Sequence, residues 1–249
     1  MEDLDPPREE RGAARRILDS LQNHGLQWDG DVLFQSQRHD AYAAALDRLS
    51  AEGHLFHCDC TRQLLGPDGA CSGGCRERQG QLTSPTAIRV KSPSAARTQF
   101  LDQLQPARHC EQSSLPGDFV VKRKDGLYAY QLAVVVDDEW QGITHIVRGS
   151  DLLDSTARQI CLQQLLGYPR PRYFHLPVIT DQGGQKFSKQ NHAPALDDHR
   201  ATANLRAALA FLGQSRPPHE LQTTGDILAF AARDWAPVKI PAVMSIVAS

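Results

Sequence analysis

Apolar residues fall at helical spacing in two places early in the chain. Between residues 9 and 24, Ala13, Ala14, Ile17, Leu18 and Leu21 share one face, and Gly25 stands where a helix would be capped. Asp5 before Pro6 and Pro7 reads as the turn into that helix. Between residues 38 and 52, Tyr42, Ala45, Leu46 and Leu49 form a second stripe, with Gly53 as the stop. The pattern then shortens. "HLFHC", "TAIRV" and "FVVKR" are brief β-forming runs, and residues 60–85 and 92–118 between them are polar, glycine-containing loops. In the second half "YAYQLAVVVDD" is a continuous apolar run with three valines. It reads as a strand buried on both faces. "THIVRG" and "RYFHLPVIT" read as further strands, with an amphipathic helix over 151–166 between them, closed by Gly167. Asp151 is placed to cap that helix, and His175 reads as a packed strand residue. Helices over 199–213 and near 225–235 follow. Strand–helix–strand order predicts an α/β fold with a parallel sheet.

Composition narrows this only a little. With 41% hydrophobic and 22% charged residues among 249, the chain is an ordinary globular one. No apolar run reaches membrane-spanning length, and the acidic start does not resemble a secretory signal, so a cytoplasmic setting is expected. A net charge of -2 argues against a broad nucleic-acid surface but leaves room for a local basic patch. Arg62, Arg76, Arg78 and Lys91 are candidates for it, each also readable as part of a solvated basic face.

Four cysteines carry the clearest chemistry. Cys58, Cys60, Cys71 and Cys75 lie within eighteen residues as Cys-x-Cys, ten residues, then Cys-x-x-x-Cys. Thiolates on two turn-like knuckles suit one tetrahedral zinc, held structurally because no coordination position stays open. An iron–sulfur cluster and four unrelated thiols are the rival readings, and His57 is a bystander. Cys161 falls on the buried side of its predicted helix. Lys186 and Lys189 flank Phe187 and Ser188 in "KFSKQ", which ends at Gln190 after a Gly-Gly turn. Lysines on such a loop suit a phosphate, and a solvated loop is the alternative.

"EDLDPPR", the cysteine knuckle, "YAYQLAVVVDD", "IVRGSDLLDSTARQ", "HLPVI" and "KFSKQ" occur in one order. That order resembles the glutamyl-tRNA synthetase branch of class I aminoacyl-tRNA synthetases, and within it the short glutamyl-queuosine tRNA(Asp) synthetase paralogues. The resemblance covers residues 2 to about 212. It implies a Rossmann-type catalytic domain over 1–57 and 119–198, a zinc-binding insertion over 58–118 and a helical segment over 199–249. It implies activation of L-glutamate by ATP with Mg2+, then transfer to queuosine in the anticodon stem-loop of tRNA(Asp), by a monomer. By the same resemblance Glu2 holds the substrate ammonium, Tyr130 contacts glutamate and Arg148 takes its carboxylate. Lys186, Phe187, Ser188, Lys189 and Gln190 form the ATP loop, with Lys189 as the catalytic lysine, and the four cysteines hold zinc. Family chains carry a strand and a His-Gly signature ahead of the acidic turn. That segment is expected to be missing here, with weak ATP binding as the consequence. A non-catalytic zinc and RNA module and a shortened glutamyl-tRNA synthetase are the alternative readings.

Overall fold

A computed structural model describes residues 1–6, 9–66, 69–71, 74–82, 85–92, 100–106, 117–187, 193 and 195–248. They fall into two compact units. The first comprises Met1–Pro7, Leu33–Val147 and Leu152–Phe174, and the second Arg8–Val32, Arg148–Asp151 and His175–Ser249.

In the first unit, α2 (His39–Ala51) buries Tyr42, Ala45, Leu46 and Leu49, the stripe the spacing predicts. Strands β1 (Leu55–Cys58), β2 (Ala87–Val90) and β3 (Phe119–Lys122) form an antiparallel sheet with β2 in the middle. Alternation gives this sheet two different faces. Leu55, Ile88, Val90, Phe119 and Val121 join the main core. Phe56 and Cys58 turn the other way and pack with Cys60 and Cys75.

The run expected as a doubly buried strand is a helix, α3 (Tyr130–Trp140). Its buried residues Leu132, Ala133, Val135 and Val136 pack with Tyr42, Leu46 and Leu49 of α2. On the other side lie Cys161 and Leu162 of α4 (Leu153–Leu165) and the adjoining Leu166. A helix covered on two sides is apolar almost all round, so its sequence loses the polar stripe that marks amphipathic helices. Valine's β preference is a few tenths of a kcal/mol per residue, which burial on this scale overrides. Cys161 is core, and burial pushes its thiol up to about 11.

Strand β4 (His145–Gly149), α4 and β5 (Arg172–Leu176) follow in the expected order, and β4 pairs with β5. The N-cap of α4 is Leu152 rather than Asp151, whose carboxylate is engaged elsewhere.

In the second unit, α1 (Ala13–Asn23) ends as predicted. Gly25 adopts φ 74°, and the Leu26 N–H reaches back to the Leu21 carbonyl. None of its residues is buried, however, and Ile17 remains 50% exposed. Polar links tie its end down: Ser20 donates to Asp198, and the buried His24 meets Asn204 at 3.0 Å. Asn204 lies on α5 (Ala201–Phe211), which packs against α6 (Thr224–Arg233). Strand β6 (Val178–Thr180) pairs in parallel with β7 (Ser245–Val247), a strand the pattern did not announce. Among the described residues no helix is long and apolar enough to cross a membrane.

Candidate functional site

The cysteine knuckle hangs from the end of β1. The sulfurs of Cys58, Cys60, Cys71 and Cys75 all lie within 4.8 Å of one another. Cys60 is 3.7 Å from Cys71 and 3.4 Å from Cys75. A tetrahedron of zinc–sulfur bonds of ~2.3 Å has sulfur–sulfur edges of roughly 3.8 Å, so the four residues fit zinc with sulfur shifts of about 1 Å or less. Burial pushes the Cys60 and Cys75 thiols above their ordinary range, so a cation is what would make thiolates favourable there. Outer contacts brace the cage. Asp59 accepts from Cys75 at 3.3 Å and from Arg78 at 3.1 Å. The Gln79 amide joins the Cys75 carbonyl to the backbone of His57. His57 itself turns its ring to Thr86 and stays outside the cluster.

The acidic turn at the start of the first unit is held from below. A short 3-10 helix, Gln35–Gln37, receives it: the Gln35 N–H donates to the Met1 carbonyl at 3.0 Å. Ser36 donates to Asp3 from its N–H at 2.9 Å and from its hydroxyl at 2.6 Å. Burial works to raise the Asp3 pKa, but these two hydrogen bonds, with the Asp3 backbone N–H and the nearby N-terminal charge, together leave the carboxyl below its usual value. Gln35 in turn donates to Asp137 at 2.9 Å, as do Arg38 at 2.8 Å and the Tyr42 hydroxyl at 2.8 Å. The turn bearing Glu2 is thus tied to a buried carboxylate on α3. Tyr130, expected within a strand, is the first residue of that same helix.

In the second unit, Arg148 donates from Nε to Nε2 of His175 at 3.0 Å. His175 is fully buried and belongs to β5. Accepting at Nε2 fixes its neutral Nδ1–H form and orients the guanidinium. Sequence reading took His175 for packing alone; the pairing with Arg148 is the role it missed. Nearby, Lys186 is ion-paired with Asp151. Gly149 makes room for that carboxylate, because a Cβ at this position would collide with Asp151 Oδ1. Phe187 is 45% exposed. Ser188, Lys189 and Gln190 lie outside the described residues.

A family model for class I tRNA synthetases (E and Q), catalytic domain, matches residues 1–67 and 74–212. That match and the relatives below make the chain a class I tRNA synthetase catalytic domain, a ligase. Glutamyl-Q tRNA(Asp) synthetase of Pseudomonas entomophila (strain L48) is 48% identical over 248 residues, 99% of this chain and 83% of the relative. Its namesake in Pseudomonas putida (strain GB-1) is 49% identical over 242 residues, 96% of this chain and 81% of the relative. The crystal structure of glutamate-tRNA synthetase from Elizabethkingia anophelis superposes with a TM-score of 0.69 at 18% identity. That match covers all of this chain and 60% of the other, and speaks for the fold alone. The chain belongs to the family of class I, glutamyl-Q tRNA(Asp) synthetase-like ligases.

Proposed function

We propose that this chain activates L-glutamate with ATP and transfers it to queuosine in the anticodon stem-loop of tRNA(Asp), acting as a monomer. The observation that carries the reading is Arg148, aimed by a buried neutral histidine. A planar fork held in one orientation suits the carboxylate of the amino acid. Glu2, on the turn braced by Ser36, supplies the opposite charge for the substrate ammonium, and Tyr130 contacts the same substrate. Lys189, with Lys186, Phe187, Ser188 and Gln190, serves ATP and its Mg2+ in the transition state, when phosphate charge shifts. Cys58, Cys60, Cys71 and Cys75 hold one structural zinc, which shapes the insertion and takes no part in the chemistry.

Glutamate-dependent ATP–pyrophosphate exchange without RNA tests the first step. Labelled glutamate should then appear on tRNA(Asp) that carries queuosine and not on tRNA(Asp) lacking it. Label on the 3′ end, or no exchange at all, would reject the reading. Arg148→Lys should raise KM for glutamate about tenfold, since a point charge replaces the fork. ATP affinity should stay put; an equal change in KM for ATP would detach Arg148 from glutamate.

Ser36→Ala should raise KM for glutamate about fivefold and leave KM for ATP unchanged, for the loss of roughly 1 kcal/mol of turn anchoring. The Asp3 pKa is lower folded than unfolded, so its contribution is complete above the ordinary carboxylate value. It is lost as pH falls through the folded value. The Ser36→Ala effect should therefore persist at pH 7 and shrink only in the acid range; a constant ratio down to strongly acid pH would contradict it.

A further inference from the structure

Beside the cysteine knuckle, on the face of the sheet turned away from the core, opens a cavity of about 260 Å3. Cys58, Cys60, Arg62, Arg89, Arg123 and Lys124 line it, with apolar and hydroxyl side chains and, among the described residues, no carboxylate. Arg89 is the unusual member. It is 3% exposed, its Nη1 donates to the carbonyls of Gly69 and Asp118, and its buried Nε has no hydrogen-bond partner among the described residues. That Nε is closed to solvent, so the buried guanidinium, met by carbonyls and, among the described residues, by no carboxylate, gives the cavity floor positive charge rather than an open hydrogen bond. At the rim Arg62 makes no ion pair among the described residues, and Lys124 donates to the Asp59 carbonyl. Arg123 is the one lining cation already matched, by Asp5 and Asp125.

Three other basic residues of the insertion, among those described, are already engaged. Arg76 grips Asp118, Arg78 pairs with Asp59, and Lys91 donates to the Gly53 carbonyl. Of the four candidates that sequence reading offered for RNA, the structure places only Arg62 at a cavity with unanswered positive charge.

We infer that this cavity is the seat of an RNA backbone phosphate, with Arg89 at its floor and Arg62 and Lys124 as the contacts that release counterions. The inference rests on the proposed tRNA substrate and specifies where the insertion grips it. The volume is several times the ~30 Å3 share of one water, enough for a phosphodiester. A metal-bound set of four thiolates would carry a formal charge of about -2. Counter-charge for the metal is therefore the competing role for Arg62 and Lys124.

The test is binding of two RNAs across a salt series, a synthetic tRNA(Asp) anticodon stem-loop and unfractionated tRNA, to the full chain and to Arg62→Gln/Lys124→Gln. The double variant should bind about tenfold more weakly at physiological salt. Its slope of log K against log salt should fall by about 1 to 2, as loss of two phosphate contacts requires. Lys91→Gln removes one positive charge away from the cavity and should leave the slope within a few tenths. Zinc content and thermal unfolding of the double variant should match the parent. An unchanged slope, or loss of zinc in the double variant, would overturn the assignment. So would a parent chain that binds neither RNA. Binding of unfractionated tRNA but not of the stem-loop would fault the proposed substrate instead, and the slope comparison on tRNA would still decide the cavity.

Discussion

Asp137→Ala is expected to cost about 3 to 5 kcal/mol of folding stability, the range for removing one partner of a buried ion pair. Asp137 is 3% exposed and lies on α3, between α2 and α4. Three donors converge on it: Gln35 and Tyr42, both buried, and Arg38, which also stacks over Trp140 at 4.4 Å. Alanine would leave a cation, a phenol and an amide with no acceptor. Burial first, and then the hydrogen bond to Asp137, hold the Tyr42 phenol above its ordinary range, and in the variant burial remains to do so. Asp137→Asn keeps the shape and should cost less, and Tyr42→Phe, which removes one donor cleanly, least of all. Denaturant unfolding gives the order. A loss below about 1 kcal/mol for Asp137→Ala would mean the cluster is hydrated and not an anchor. Because the same cluster holds the 3-10 helix under the acidic turn, the Asn variant should also raise KM for glutamate before it changes kcat.

Cys75→Ser is expected to abolish stoichiometric zinc binding. Losing an outer-shell partner typically costs roughly 10- to 100-fold in metal affinity, and losing a ligand should exceed that. Cys75 is the fully buried member of the set and touches Cys60, Asp59 and Arg78. Among the described residues the knuckle around it has a core of Phe56 and the cysteines, with Leu65 and Leu82 packed alongside. Without metal that core is too small to hold the loops. His57→Ala, on the exposed side of β1, should keep the full metal content. Metal content and protease sensitivity of the insertion distinguish the two variants. Zinc retained by Cys75→Ser, or lost by His57→Ala, would refute the four-sulfur assignment. Burial raises the thiol pKa values, so binding must release protons and tighten as pH rises.

The cysteine cage was legible because its information is local. Four ligands of one type within eighteen residues leave few other uses, and the sulfurs do converge. Helix α2 was legible for a related reason: it buries one face, and a one-sided helix writes its period into the chain. Helix α4 is buried all round from Gln159 to Gln163, but its buried glutamines break the apolar run and keep the helical period readable. The valine-rich run failed because α3 is covered by two helices and so carries no such period. The apolar stripe of α1 misled differently. The helix forms, but polar links at its end rather than burial tie it down.

Sequence by itself determined the elements whose burial is one-sided, the four cysteines that could hold a metal, and the order of motifs that marks the family. Tertiary structure alone decided which partners those residues meet. It paired Arg148 with His175 across twenty-seven positions, gathered Gln35, Arg38 and Tyr42 onto Asp137, and set β7 beside β6. It also separated the basic residues of the insertion into those already matched by carboxylates or carbonyls and those facing a cavity. The physical reason is range. Helical period, ligand type and turn chemistry act between neighbours in the chain, whereas neutralisation of a charge depends on a group that folding brings from far away.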